Sequence, residues 1–199
     1  NDITYSEYFG GISHASYAWS SLALTPVTYF DSSPKRAFAF GEMHPGVPRW
    51  SDFSKLGASS FVIADRDSDV VIAGPPCSDH TQLNMTRDPR SPTARLIIDS
   101  LRLFLRGRHK IGVFEAVPSF VDVDDGKLFQ EFCDLAAPVF TVLPLLLNPR
   151  QFGGVQTRKR WYFILVRTDV LQTKQGFPAP EPVEHNRSTI RDFLDPVDT

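Results

Sequence analysis

A chain of 199 residues with 42% hydrophobic and 22% charged side chains can bury one sizeable core and has ordinary globular composition. Its formal net charge of −2 excludes a global positive field that would draw in nucleic acid, so any such surface has to be local or supplied by a partner. Cys77 and Cys133 are too few for a disulfide framework and point to a reducing, cytoplasmic or nuclear setting; no apolar run has the length of a membrane span, and no signal-peptide pattern opens the chain.

Taken in chain order, the segments alternate between strand and helix. Ile3–Phe9 is β-prone and stops at Gly10-Gly11, after which Ile12–Leu24 reads as a helix. Pro26–Phe30 is a second short strand, and Pro34 suits the first turn of a helix continued by Lys35–Phe40. Val47–Asp52 is a weak third strand, followed by a helix over Phe53–Ala64. Asp69–Ala73 is nearly all apolar and ends at Gly74-Pro75-Pro76, as a parallel strand covered on both faces would. Pro92–Leu105 is helical, with apolar positions at Leu96, Ile97, Leu101, Phe104 and Leu105. Ile111–Phe114 is another buried strand, and Leu128–Leu135 is a helix with Cys133 on its apolar face. Val139–Leu147 and Trp161–Arg167 are long apolar strands with a Gly- and Arg-rich loop and no helix between them, so they predict an antiparallel hairpin. The whole pattern predicts an α/β fold, a doubly wound and mostly parallel sheet with that hairpin at its C-terminal end. After Thr173 the composition shifts to Pro, Glu and Gly, which divides the chain into a folded domain over 1–173 and a linker or tail over 174–199.

The first strand–turn–helix has the makings of a ligand site. Glycines at Gly10 and Gly11 let a ligand approach the backbone, and a helix start offers free N–H groups. Asp31 lies 20 positions after Gly11, at the end of the second strand, where a nucleoside site places an acid for ribose hydroxyls. A plain tight turn would show the same glycines. There is no G-x-G-x-x-G pattern, and Ser13 and His14 stand where a phosphate-cradling loop would carry Gly. A cofactor without a pyrophosphate therefore fits better, and S-adenosylmethionine is one.

Gly74-Pro75-Pro76-Cys77 leaves a buried strand at its C-terminal edge, where open α/β sheets bind ligands. On its own this is equally a buried free cysteine beside a rigid turn. Glu115 ends the next strand 38 positions later, and Gln156-Thr157-Arg158-Lys159-Arg160 precedes the last one. A Cys, a Glu and two Arg thus converge on one edge of one sheet, although a basic run alone is ordinarily a solvated loop.

Taken together these segments resemble the cytosine-C5 methyltransferase family. That family carries an F-x-G-x-G loop, a G-P-P-C loop, an E-N-V strand end and a Q-x-R-x-R segment in this order. Here they stand as Phe9-Gly10-Gly11, Gly74-Pro75-Pro76-Cys77, Glu115-Ala116-Val117 and Gln156 to Arg160. Asp52-Phe53 resembles the segment whose acid holds the adenine amino group, and Asp88-Pro89-Arg90 followed by Leu96 resembles the next cofactor segment. The resemblance implies the sheet of S-adenosylmethionine-dependent methyltransferases, with cofactor contacts at Phe9, Gly10, Gly11, Ile12, Asp31, Ser32, Asp52, Phe53, Gly74, Pro76 and Leu96. It also implies catalytic roles for Cys77, Glu115, Arg158 and Arg160. Departures are Ala116 for the Asn that orients the Cys loop, Ser13 and His14 for Gly, Ser78 after the Cys, and an added Gly153-Gly154. The family continues into a target-recognition domain and two further motifs. Asn186 to Asp192 resembles the lead into that region and the chain reaches only Thr199, so a second subunit carrying the recognition domain is an expected partner.

The implied chemistry needs these residue types. C5 of cytosine is a poor nucleophile until a thiolate adds at C6, and Cys is both a strong nucleophile and a workable leaving group. Glu115 would hydrogen-bond N3 and the exocyclic amine, while Arg158 and Arg160 would hold O2 or a phosphate. A cytosine stacked in duplex DNA is out of reach, so the target base is flipped out or single-stranded. His14, His44, His80, His109 and His185 show no metal-ligand spacing with the cysteines, and no metal is expected. Trp19, Trp50 and Trp161 read as core or cofactor-lining. Two other functions stay open: cytosine methylation in RNA, whose branch carries a Cys-Phe-Thr segment absent here, and a non-catalytic paralogue serving as a binding or regulatory subunit.

Overall fold

The computed structural model describes residues 2–51, 68–76, 91–171 and 178–183. The apolar runs of the sequence become the strands of one seven-stranded sheet. These are β1 (Thr4–Tyr8), β2 (Thr25–Phe30), β3 (Arg49–Trp50), β4 (Val70–Ala73), β5 (Ile111–Ala116), β6 (Phe140–Leu147) and β7 (Arg160–Arg167). Their order is β3-β2-β1-β4-β5-β7-β6. β1 to β5 are mutually parallel, and β7 enters antiparallel between β5 and β6. The chain winds outward from β1 to β3 on one side and resumes at β4 on the other. The boundary between β1 and β4 is thus the switch point where the connections diverge and leave a crevice at the strands' C-terminal ends.

One sheet face holds the main core. Helices α3 (Pro92–Phe104) and α4 (Lys127–Ala136) lie on this side, after the shorter α1 (His14–Ala18) and α2 (Pro34–Met43) in the chain. Ser91 caps α3 by accepting the Ala94 N–H at 3.0 Å, and Pro92 occupies the first turn, where its missing N–H costs nothing. Ile97, Leu101 and Phe104 recur at helical spacing and are buried; Leu128, Phe132 and Ala136 do the same on α4. They pack with Val71, Ala73, Phe114, Phe120, Phe163 and Leu165 into one cluster. Arg95 clamps the two helices together outside it, giving paired bonds of 2.6 Å to Glu131. On the other face α1 covers β1, and a groove of about 860 Å³ stays open at the strands' opposite edge. Apolar side chains of Ile3, Trp19, Leu24, Ile111, Ile164 and Val170 line it.

The structure corrects two sequence expectations. The helix expected over Ile12–Leu24 is only His14–Ala18 followed by a 3-10 turn at Ser20–Leu22. Ser13 at φ 60° and Ala23 at φ 50° are left-handed and bound the helical stretch, and Ser20-Ser21 favour a turn over a helix interior. The third strand, expected from Val47, starts only at Arg49 and is described to Trp50, because Pro48 has no N–H to give a ladder; Asp52 lies outside the described residues. The expected hairpin is present, with Leu143 opposite Ile164 and Leu145 opposite Tyr162. The helix over Phe53–Ala64, the boundary at 173/174 and the segment Asn186 to Asp192 lie outside the described residues. Among the described residues no helix is long and apolar enough to cross a membrane.

Candidate active site

The first wall of the site is the turn after β1. Phe9, Gly11 and Ser13 have φ of 57°, 61° and 60°. Gly10 sits so close to β2 that a Cβ there would lie 2.5 Å from the Tyr29 ring and 2.7 Å from Glu7 Oε2, so only glycine fits. Asp31 at the end of β2 accepts the Gly11 N–H at 2.9 Å, and the Tyr29 hydroxyl donates to the Gly11 carbonyl. Ser13 carries its hydroxyl beneath the turn and donates it to Glu7 Oε1 at 2.5 Å. Ser16 lies 2.5 Å from Ser13 Oγ, 2.8 Å from His44 Nε2 and 2.7 Å from the Tyr5 hydroxyl. Glu7 is 1% exposed, and burial pushes its carboxyl up to about 7, against the smaller opposing effect of the two serine hydroxyls.

The second wall comes from β4, β5 and β7. The Gly74 N–H donates to the Tyr8 carbonyl at 3.1 Å, which sets the start of the Gly74-Pro75-Pro76 loop beside the end of β1. A Cβ at Gly74 would meet nothing nearer than Glu115 Oε2 at 4.0 Å, and one at Gly11 nothing within 4 Å. Backbone is thus open to a ligand at both places. Glu115 is the last residue but one of β5 and lies opposite Tyr162 of β7. Arg160 Nε lies 2.8 Å from Glu115 Oε1, and Arg158 Nη1 lies 3.7 Å from the same oxygen. The Arg160 contact has ion-pair distance without the alignment of a hydrogen bond. Asn148 sets the loop before β7, accepting the Arg158 N–H at 3.2 Å while it caps the 3-10 turn Pro149–Phe152.

A cavity of about 470 Å³ lies between the two walls, within the usual size of small-molecule sites. Phe9, Gly10, Gly74, Glu115 and Arg158 line it, together with Glu7 and Tyr162. Arg160 reaches it through Glu115. Gly11, Ile12, Asp31, Ser32, Pro76 and Leu96 do not line this cavity. Asp31 is buried, whereas Ile12, Ser32 and Pro76 are exposed and Leu96 is half-buried on α3. Cys77, Asp52 and Phe53 lie outside the described residues. Ala116 is fully buried opposite Trp161, and its methyl group offers no hydrogen bond to the Cys loop. Trp19 packs with Tyr5, and Trp50 and Trp161 against the main core. Among the described residues no cluster of His, Cys, Asp and Glu could hold a metal ion.

The family model for C-5 cytosine-specific DNA methylase matches residues 3–199. The chain belongs to this family. The type II methyltransferase M.DdeI of Desulfomicrobium norvegicum is 28% identical over 143 residues, covering 69% of this chain and 34% of that protein. M.BsuFI of Bacillus subtilis is 22% identical over 181 residues, covering 90% of this chain and 43% of that protein. The chain thus spans less than half the length of these curated relatives. Among solved structures, the Entamoeba histolytica methyltransferase EhMeth superposes with a TM-score of 0.75 at 18% identity, over 100% of this chain and 62% of that one. The S. pombe Dnmt2 methyltransferase gives 0.64 at 19% identity, over 84% of this chain and 50% of that one. At such identities the structures show the shared fold.

Within this C5 methylase fold, reading the sequence missed Glu7, Ser16, His44 and Asn148. Glu7 had a signal: it is the lone charged residue within the β-prone stretch that becomes β1. Asn148-Pro149 is likewise a recognisable cap before a turn. Ser16 and His44 carried none, because only the folded chain brings them together 28 positions apart.

Proposed function

We propose that this chain transfers a methyl group to C5 of cytosine in DNA, with Cys77 as the nucleophile and S-adenosylmethionine as cofactor. One observation carries the reading: Glu115 with its two arginines, the loop that leads to Cys77 and the glycine turn of β1 share one edge of one sheet. The open backbone at Gly11 and Gly74 suits a nucleoside cofactor, held at Phe9–Gly11 and Gly74 with Asp52, Phe53, Ser32 and Ile12 toward its base. When bound, S-adenosylmethionine supplies an electrophilic methyl group on a sulfonium sulfur. The Cys77 thiolate adds to C6, and the C5–C6 π electrons make C5 nucleophilic enough to take that methyl. Glu115 takes up a proton from solvent as the base enters, hydrogen-bonds the N3 edge through it, passes it to N3 as the thiolate adds and takes it back on elimination. Arg158 and Arg160 balance the charge of Glu115 before the base arrives and that of the adduct afterwards. A base then removes the C5 proton, and the returning electrons expel Cys77.

Cys133 does not compete as nucleophile in this scheme: it is half-buried on α4, and burial pushes its thiol pKa up. Residues 1–173 form the catalytic domain, and residues 174–199 lead toward the family's recognition region. A polypeptide bearing that region, in a second subunit, covers the apolar groove around Trp19 and Ile164. Until then the chain binds DNA weakly, by phosphate contacts alone, with dissociation constants of roughly 10⁻⁴–10⁻⁶ M at physiological salt. A gel-shift titration checks this; sub-micromolar binding to one sequence would mean that the chain carries its own reader. A reducing compartment keeps Cys77 competent.

Transfer of isotope-labelled methyl to DNA and to RNA, each with cytosine or 5-methylcytosine, tests the function. Label entering only the unmethylated DNA supports it, and label entering only RNA overturns the choice of substrate. A second reading, a non-catalytic subunit, draws on Ala116, whose methyl cannot orient the Cys loop. It predicts no label in any substrate although the cofactor binds.

A further inference from the structure

Glu7 is a buried carboxyl with one oxygen held by the protein. Ser13 donates to its Oε1 at 2.5 Å, and Ser16 reaches the same oxygen at 3.5 Å. Among the described residues nothing donates to Oε2, and Glu7 lines the cavity. The bonds continue beyond the serines. Ser16 Oγ lies 2.5 Å from Ser13 Oγ and 2.8 Å from His44 Nε2. His44 follows α2 and is half-buried, and among the described residues its ring makes no other hydrogen bond. Linked polar groups thus lead from a carboxyl in the cavity wall to an imidazole at the end of α2. The Tyr5 hydroxyl joins at Ser16, 2.7 Å away, but Tyr5 is 1% exposed and gives no outlet.

Each link can carry a proton. A serine hydroxyl donates and accepts at once. Burial holds His44 below its ordinary pKa, so at neutral pH its ring is uncharged and releases an added proton readily. Glu7 keeps its own proton up to about 7, chiefly through burial. The other titratable groups around it do not take that proton. Burial pushes the phenols of Tyr5 and Tyr29 up. Asp31 lies beside Arg36, and Glu115 across the cavity beside Arg158 and Arg160.

We propose that Ser13, Ser16 and His44 form a proton path through the cavity wall, by which Glu7 gives up its proton when a cationic ligand fills the cavity and regains it when that charge is gone. The proposal rests on reading the cavity as an S-adenosylmethionine site. A positive charge in the cavity makes the carboxylate the stable form. The Oε1–H bond breaks toward Ser13 Oγ, the Ser13 hydroxyl proton moves to Ser16 and the Ser16 proton to His44 Nε2, where an N–H bond forms. His44 then releases its Nδ1 proton to solvent. Methyl transfer turns the sulfonium into a neutral thioether, and a proton returns by the same steps. Glu7 can thus change charge while the ligand covers its open side.

Protons released on binding are counted by calorimetry at pH 7 in buffers of different ionisation enthalpy, with S-adenosylmethionine and with S-adenosylhomocysteine. Their release is timed by stopped flow with a pH indicator, against tryptophan fluorescence as the report of binding. Wild type should release about half a proton more with the sulfonium than with the thioether, and Glu7→Gln should show no difference. Ser16→Ala and His44→Gln should release the same number, but about tenfold or more slowly than wild type. If one of the two fails to fold, the other carries the comparison. Equal release with both ligands in wild type would overturn the proposal, as would unslowed release in either path variant. If wild type binds neither ligand, the cofactor reading fails, and the path is judged without ligand by carbon-13 NMR titration of Glu7. His44→Gln should then move the Glu7 midpoint by about 0.5 pH or more, and should move it no further once Ser16 is alanine. A midpoint indifferent to His44 would overturn the path.

Discussion

Burying a carboxylate among hydroxyls makes its charge expensive, and Glu7 shows the consequence. Its carboxyl rises from 4.5 to about 7, chiefly through burial. A folded-state pKa above the unfolded value means that the folded chain holds the proton more tightly. The stability this gives is fully present below about pH 4.5 and is lost as pH rises through about 7. The size is roughly 3 kcal/mol, at 1.36 kcal/mol per unit of pKa. Glu7→Gln cannot ionise, so its stability relative to wild type should rise between pH 5 and pH 8, as followed by urea unfolding. A difference independent of pH would contradict the burial. Ser13 poses a contest between two effects at one position. Its left-handed φ of 60° favours glycine, while its hydroxyl serves Glu7. Ser13→Ala keeps the strain and loses the bond, whereas Ser13→Gly loses the bond and relieves roughly 1 kcal/mol of strain. Thermal melts should therefore place Ser13→Ala below Ser13→Gly, and the reverse order would mean that the turn relaxes its backbone on substitution.

At the scale of elements, α3 and α4 hold the sheet that presents Glu115. Phe132 of α4 is fully buried against Phe114 and Phe163, with ring centroids 5.5 and 5.3 Å away. Phe132→Ala should cost about 3–5 kcal/mol of unfolding free energy, measured by denaturant titration. A loss under 1 kcal/mol would mean that the cluster repacks around the gap. The strands were legible in the sequence because runs such as Val70–Ala73 and Trp161–Arg167 are apolar enough to mark themselves. The amphipathic helices were legible from their spacing. Helix α1 was not, because what bounds it is backbone handedness at Ser13 and Ala23, which residue type does not reveal. The site divides in the same way. Motif residues Gly74, Glu115, Arg158 and Arg160 fall together as their spacing implied, whereas Asp31 turns inward through hydrogen bonds to Gly11 and Ser33 that only the folded turn creates.

For the molecule as a whole, sheet topology delivers the chemistry. Strands β1 and β4 part at the switch point, so the glycine turn and the Cys loop leave the sheet side by side. β7 runs against β5, so the start of β7 at Arg160 lies beside the end of β5, where Glu115 is the last residue but one. On the proposed function, the loop after Gly74-Pro75-Pro76 supplies the nucleophile to a cytosine held at that edge. DNA containing 5-fluorocytosine tests it directly, because fluorine at C5 cannot leave as a proton and the adduct persists once methyl has transferred. Wild type and Cys133→Ser, incubated with this DNA and S-adenosylmethionine, should give a denaturant-resistant complex that Cys77→Ser does not form. Equal trapping by Cys77→Ser would contradict the account.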